Sequence, residues 1–224
     1  MVFRHELKHQ ISYADMLIIR QRLRAVMNID EHAVDGRYRI RSLYFDNIND
    51  KALREKVDGI SRREKFRIRY YNDDLSVINL EKKCKAGGLG NKQTAPLTAE
   101  EAGRIVAGDL EWMLTSKWPV VKELYVKMTT EGLRPKTIVD YVREPFVFTA
   151  GNVRVTLDYD IRTGLSDIDF LNPDCVMIPA GDAQIILEVK WDEFLPDIIR
   201  DILQLPDGRR EGAFSKYAAC RMYG

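Results

Sequence analysis

KFRIRYYNDDLSVINLEKKCK, residues 65–85, decides the fold class of this chain. Two runs within it, KFRIRYYN (65–72) and SVINLEKKCK (76–85), alternate apolar with charged or polar side chains. Between them, Asn72-Asp73-Asp74 supplies turn residues. A period of two reads as strand, and so short a connection leaves no room for a crossover helix, so the pair is an antiparallel hairpin. Successive strand side chains point to opposite faces. Arg67 and Arg69 therefore share one face and Phe66 and Ile68 the other, while Glu81 and Lys83 oppose Ile78 and Leu80.

The same reading extends outward. VFRHELKHQIS (2–12) is a predicted strand with Glu6 and Lys8 on one face, and RYRIRSLYFDN (37–47) is another with Arg39 and Arg41 on one face. PKTIVDYVREPFVF (135–148), NVRVTLDYDIRTG (152–164) and DAQIILEVKWD (182–192) complete the long strands. Arg154, Thr156 and Asp158 share a face of the second of these, and Glu188 and Lys190 a face of the third. Helices fall between them. Met16, Ile19, Leu23 and Val26 repeat at helical spacing in 13–27 behind Ser12, a predicted N-cap. Thr98 and Glu101 form a capping box before a helix in 98–109, and Pro119 introduces another over 119–131. One or two helical turns are expected in 49–57, a helix in 196–206 and a short one at the tail. KAGGLGNKQ (85–93) reads as a glycine-rich loop. Seven or eight strands with helices among them make an α+β chain whose sheet is antiparallel.

Of the 224 residues, 45% are hydrophobic and 31% charged, with a net charge of only +1. A nucleic-acid coat protein would be far more basic, so no nucleic-acid partner is expected. The charge is uneven: residues 1–92 hold 20 Lys and Arg against 13 Asp and Glu, whereas 93–224 hold 15 against 21. A basic first half points to an anionic ligand. Cys84, Cys175 and Cys220 match no zinc or redox spacing and read as reduced thiols of a cytoplasmic protein. The start, MVFRHELKHQ, has no apolar core of a signal peptide, and no run reaches the ~18 apolar residues of a membrane span.

Charged strand faces have two explanations. One is a sheet with one wet side. The other is a closed barrel whose lining holds a ligand, since buried charges must be paired or must meet a counter-charge. Arg-x-Arg pairs present planar forks to phosphate oxygens, lysines add point charges, and interspersed carboxylates suit a divalent metal. Periodicity leaves both open.

Six segments in order carry a resemblance: RIRSLYFD (39–46), FRIRY (66–70), LEKK (80–83), RVTLD (154–158), LEVK (187–190) and FSKY (214–217). From Phe3 to Tyr217 the chain resembles VTC domains, the polyphosphate polymerase domains of the vacuolar transporter chaperone type, within the triphosphate tunnel metalloenzymes. The resemblance implies one domain over 1–224, an eight-stranded antiparallel β-barrel with helices packed outside and a C-terminal helix at the tunnel mouth. It implies a polymerase that moves the γ-phosphate of ATP onto polyphosphate with Mn2+ or Mg2+, and leaves room for a membrane-protein partner. Lys8, Arg67, Arg69, Lys83, Arg154 and Lys216 are the implied catalytic set, with Lys92 and Arg143 gripping phosphate and Glu188 holding metal. The strand faces add Arg39, Arg41 and Lys190 as phosphate-binding and Glu6 and Glu81 as metal-holding candidates.

Two departures matter. Hydrolytic tunnel enzymes carry Glu-x-Glu-x-Lys on the first strand; here Arg4-His5-Glu6-Leu7-Lys8 replaces the first Glu, which weakens a triphosphatase reading. Catalytic VTC domains carry a second Lys where Ala213 stands, which keeps a non-catalytic polyphosphate- or inositol-phosphate-binding module as the alternative. Gly87-Gly88-Leu89-Gly90 is no P-loop, because Lys92 is followed by Gln93. His5 and His9 read as surface residues; Asp167, Asp169 and Asp174 read as a solvated loop; Trp112, Trp118 and Trp191 read as packing residues.

Overall fold

A computed structural model describes residues 4–86, 89–204 and 214–222. In chain order the elements are β1 (His5–Ile11), α1 (Tyr13–Val26), β2 (Asn28–Ile29), β3 (Tyr38–Asp46), α2 (Lys51–Val57), β4 (Arg63–Tyr71), β5 (Asp74–Ala86) and β6 (Leu89–Leu97). They continue with α3 (Ala99–Ala107), α4 (Pro119–Thr130), β7 (Arg134–Phe148), β8 (Val153–Thr163), β9 (Ile178–Pro179), β10 (Ile185–Trp191), α5 (Asp197–Ile202) and α6 (Lys216–Met222). The chain is α+β, as its sequence predicts. Two compact units interleave along it, each assembled from three separated segments, so no single cut divides them. None of the helices among the described residues is long and apolar enough to cross a membrane.

The first unit holds residues 1–39, 141–161 and 181–214. Its ladder runs β1-β10-β8-β7. β1 and β10 pair antiparallel with Lys8 opposite Glu188, and β10 pairs β8 with Glu188 opposite Thr156. One face of this ladder is apolar: Ile11, Phe146, Val153, Val155, Leu157, Ile185, Leu187 and Val189 pack with Met16, Ile19 and Leu23 of α1. Burying each such large side chain contributes about 1.5–3 kcal/mol. α1 starts where it does because Ser12 and Asp15 cap it reciprocally. Ser12 Oγ accepts from the Asp15 N–H at 3.1 Å, and the Asp15 carboxylate accepts from the Ser12 N–H at 3.0 Å.

The second unit holds residues 40–140, 162–180 and 215–224. Its ladder runs β7-β3-β4-β5-β6. The β4–β5 hairpin closes on Asn72 and Asp73, whose φ angles of 52° and 57° are the left-handed pair that a two-residue hairpin turn requires. The core of this unit joins Leu43 and Phe45, Phe66, Ile68 and Tyr70, Ile78 and Leu80 to Ala102 and Ile105 of α3 and to Val121, Leu124 and Met128 of α4. The capping box of α3 forms as predicted, with Thr98 Oγ1 accepting from the Glu101 N–H at 3.1 Å and Glu101 accepting from the Thr98 N–H at 2.8 Å.

These two ladders contain the eight strands that the sequence implies, with two-residue additions at β2 and β9. Closure into a barrel is not among the pairings of the described residues. The glycine-rich stretch differs from expectation. β5 runs to Ala86 and β6 begins at Leu89, so 85–93 is a second hairpin whose arms pair through Lys83 opposite Lys92, and Gly87 and Gly88 lie outside the described residues.

Candidate functional site

In the second unit, the face opposite the apolar core is set by register. Arg67 pairs with Glu81, Lys65 with Lys83 and Arg63 with Lys85 across β4 and β5. Lys83 pairs in turn with Lys92, and Glu81 with Thr94, across β5 and β6. Three lysines thus stand side by side on neighbouring strands, an arrangement that repels itself. Together with Arg63, Arg67, Arg69 and Lys85, that face of β4–β6 carries seven cations against the single carboxylate Glu81.

Glu81 organises them. One of its oxygens accepts from Arg67 Nε at 2.7 Å and the other from Lys92 Nζ at 2.9 Å. Burial pushes its carboxyl up, but Arg67, Arg69 and Lys92 outweigh burial and hold it well below the usual carboxylate range. Arg67 Nη1 also donates to the Tyr44 hydroxyl at 2.8 Å, and Arg69 Nε donates to Ser42 Oγ at 2.9 Å. Tyr44 lies under Lys65 and Arg67 and stacks on Tyr217 of α6 at 5.0 Å. Burial would raise the Tyr44 phenol, yet Arg67, Lys65 and Arg69 together bring it down to about 7. α6 is fastened here: the Tyr217 hydroxyl donates to Asp46 at 2.6 Å and Arg221 pairs with Asp50 at 3.0 Å. Lys216 opens that helix.

The first unit carries a different kind of cluster. Lys8 Nζ lies 3.4 Å from Glu6 and 3.6 Å from Glu188. Lys190 pairs with Glu188 and lies 3.6 Å from Glu6. Arg143 grips Asp158 with two bonds of 2.6 and 2.7 Å and reaches Glu188 at 3.7 Å. Burial opposes the charge on Glu188, but Lys8, Lys190 and Arg143 outweigh it and keep the carboxylate ionised. Lys8 is likewise penalised by burial and yet raised by Glu188, Glu6 and Asp158. Arg154 stands at the edge, donating to the Tyr38 hydroxyl at 2.6 Å and pairing with Asp30 at 3.1 Å.

Glu6 and Glu188 are hard oxygen donors whose negative charge is already shared by the same two lysines. Such a pair fits a divalent ion that completes its shell with phosphate oxygens rather than a closed protein cage. The described residues contain no cluster of three or more His, Cys, Asp or Glu able to hold a metal. Glu81, the third metal candidate, spends both oxygens on Arg67 and Lys92 and so acts as their anchor.

Arg39 and Arg41 require correction. They are in phase with Leu43 and Phe45, which belong to the apolar core, and Arg41 pairs with core Tyr70. The opposite phase, Ser42 and Tyr44, meets Arg69 and Arg67. Arg41 is 2% exposed and chelates Asp140 through Nε and Nη2 at 3.0 and 2.9 Å, while Nη1 donates to the Asn172 carbonyl at 2.6 Å. Its donors are spent on the fold. Arg39 is exposed on the same phase. On β10, Ile186 shares the phase of Glu188, and Ile185, Leu187 and Val189 fill the core.

Of the predicted residues, the structure gathers Lys8, Glu6, Arg143, Glu188 and Lys190 in one cluster, and Arg67, Arg69, Glu81, Lys83 and Lys92 on one face of the other unit. Asp158, which the sequence places on the face of Arg154, joins them, as do Ser42, Tyr44 and Tyr38, none of the four a predicted site residue. The signal for Ser42 and Tyr44 was present in RIRSLYFD, where Leu43 and Phe45 mark the odd phase as core. His5 stacks on Trp191 at 5.2 Å, and Asp167, Asp169 and Asn172 tie one another into turns. Ala213 lies outside the described residues.

Compared with known proteins, the chain matches a family model described as VTC domain over residues 3–223. No curated protein gives a match. Among solved structures it is similar to a putative adenylyl cyclase from Hippeastrum described as having a dominant triphosphatase activity. That likeness has a TM-score of 0.61 and 14% identity, over 100% of this chain and 96% of that one. A putative adenylate cyclase from Bacillus halodurans gives a TM-score of 0.50 and 13% identity, over 83% of this chain and 78% of the other. At these identities the likeness is one of fold.

Proposed function

This chain belongs to the VTC domain family, and from that premise we propose that it is an ATP-dependent polyphosphate polymerase. One observation carries the reading: seven cations against one carboxylate on the β4–β6 face, with Lys65, Lys83 and Lys92 in direct cross-strand register. Like charges set side by side cost stability unless a polyanion lies across them. A linear phosphate chain supplies a negative charge at each unit, and so matches a row of cations.

Phosphoryl transfer asks a protein chiefly for positioning and charge neutralisation. In this reading a terminal oxygen of the polyphosphate chain attacks the γ-phosphorus of ATP. The bond from that phosphorus to the β–γ bridging oxygen breaks, and ADP leaves with the electron pair. Arg67 and Arg69 present forks to non-bridging oxygens, their orientation fixed by Glu81, Tyr44 and Ser42. Lys8, Lys190 and Arg143 neutralise phosphate charge at the other cluster. Glu6 and Glu188 would hold Mn2+ or Mg2+ there, which supplies further neutralisation of the phosphates.

Purified protein incubated with ATP and Mn2+ is expected to lengthen polyphosphate on a gel. Release of free phosphate without chain growth would replace this reading with a triphosphatase, the activity named for the Hippeastrum protein. Tight polyphosphate binding with neither product would make the chain a binding module.

Tyr44 makes the binding face responsive to pH. With its phenol near 7, a rise in pH places a second anion beside Arg67. Affinity for tripolyphosphate is expected to fall about tenfold between pH 6 and 8.5, a modest share of the Coulomb energy of charges in contact. Tyr44→Phe removes that fall, and titrating both proteins in parallel cancels the ligand's own protonation. Stability moves the opposite way. The folded value lies below that of the unfolded chain, so the phenolate's contribution is complete above about pH 10 and is lost as pH drops through about 7. Identical pH profiles for wild type and Tyr44→Phe would remove Tyr44 from this role.

A further inference from the structure

Thr156 stands on β8 between Arg154 and Asp158, in register with Glu188 and through it with Lys8. It is 3% exposed, and its Oγ1 is a buried atom with no hydrogen-bond partner among the described residues. A buried hydroxyl left unpaired costs free energy. Valine has the same shape, is at least as good a strand former and carries no such cost; the strand uses it at Val153 and Val155. Packing alone therefore does not account for threonine here.

The neighbouring acceptors are committed. Both Asp158 oxygens accept from Arg143, and the Glu188 carboxylate is met by Lys8, Lys190 and Arg143. What Thr156 Oγ1 lacks among the described residues is an acceptor, and Lys8 and Arg143, which both meet the Glu188 opposite it, are placed to bring one. We propose that Thr156 is a ligand-contacting residue, its Oγ1 donating to a non-bridging oxygen of a phosphate group held by Lys8 and Arg143. The inference rests on the phosphate reading above and adds to it a neutral donor, buried and in place before the ligand arrives. Its preorganisation follows from χ1 stiffness at a β-branched side chain.

Two variants test it, Thr156→Val and Thr156→Ser, by titration calorimetry with tripolyphosphate and by melting in the absence of ligand. Hydrogen bonds to charged groups are worth enough that Thr156→Val is expected to bind at least about tenfold more weakly. Its ligand-free melting temperature should stay level or rise, because the unpaired hydroxyl is gone. Thr156→Ser should bind within about threefold of wild type, since it keeps the donor. Undiminished binding by Thr156→Val overturns the proposal while leaving the phosphate reading intact. A lowered melting temperature in Thr156→Val, with Thr156→Ser equally weak in binding although it keeps the hydroxyl, assigns the effect to packing of the side chain and also overturns it. Wild-type protein that does not bind tripolyphosphate sinks the phosphate reading and this inference with it.

Discussion

Arg67→Ala is expected to weaken polyphosphate binding by about a hundredfold or more while leaving the protein folded. A charge-assisted hydrogen bond contributes about 1.5–3 kcal/mol, and a guanidinium makes more than one. The loss is compounded at Glu81. That carboxylate is 4% exposed and now has Lys92 as its remaining partner of the two it bonds, so it faces an incoming phosphate as a less neutralised anion. The fold survives because Arg67 lies on the polar face of β4, opposite Phe66 and Ile68, which are packed in the core. Arg67→Lys separates charge from geometry. It keeps the positive charge but loses the fork that Glu81 and Tyr44 orient, and is expected to lose about tenfold. Circular dichroism and melting establish the folded state, and calorimetric titration with polyphosphate reads the affinity. Wild-type affinity in Arg67→Ala would mean that this face does not hold the ligand.

Much of this was legible in the residues, and the reasons differ by element. The β4–β5 hairpin was legible because its period of two and its Asn72-Asp73 turn agree with each other. The starts of α1 and α3 were legible because Ser12 and Thr98 each have an acid three residues on, and a capping box is local chemistry. What the chain did not reveal is long-range. That Arg143 would clamp Asp158, and that Glu81 would become an anchor between Arg67 and Lys92, depends on strand order and not on spacing. Glycine weakens a strand pattern, so 85–93 has the look of a loop, although β5 and β6 pair across it with Lys83 opposite Lys92. The phase of β3 departs from expectation for another reason. Arg-x-Arg has the look of a ligand fork, yet the apolar pair two and four residues beyond Arg41 marks that same phase as the core side.

Arg41 gives the strongest contrast to Arg67, since the same residue type on the opposite phase should fail in the opposite way. Arg41→Ala is expected to destabilise the protein by about 3–5 kcal/mol, the loss seen when one partner of a buried pair is removed. The Arg41 and Asp140 side chains are only 2% and 7% exposed, so solvent screens little of their interaction. Removing the guanidinium takes from the buried Asp140 carboxylate the fork that chelates it and leaves the Asn172 carbonyl without the Arg41 donor. The urea midpoint should fall accordingly. The fraction that remains folded should bind polyphosphate within about threefold of wild type, because Arg41 points into the core side of β3 beside Tyr70. Pairing Arg41→Met with Asp140→Leu should recover most of the loss, since replacing both charges by apolar groups removes the desolvation cost as well as the attraction. An Arg41→Ala protein of unchanged stability but lost affinity would reverse the assignment and return Arg41 to the ligand. The difference between Arg67 and Arg41 is thus one of strand phase: on one side of β3 and β4 a guanidinium meets a carboxylate beside a row of other cations, and on the other it meets one inside packed side chains.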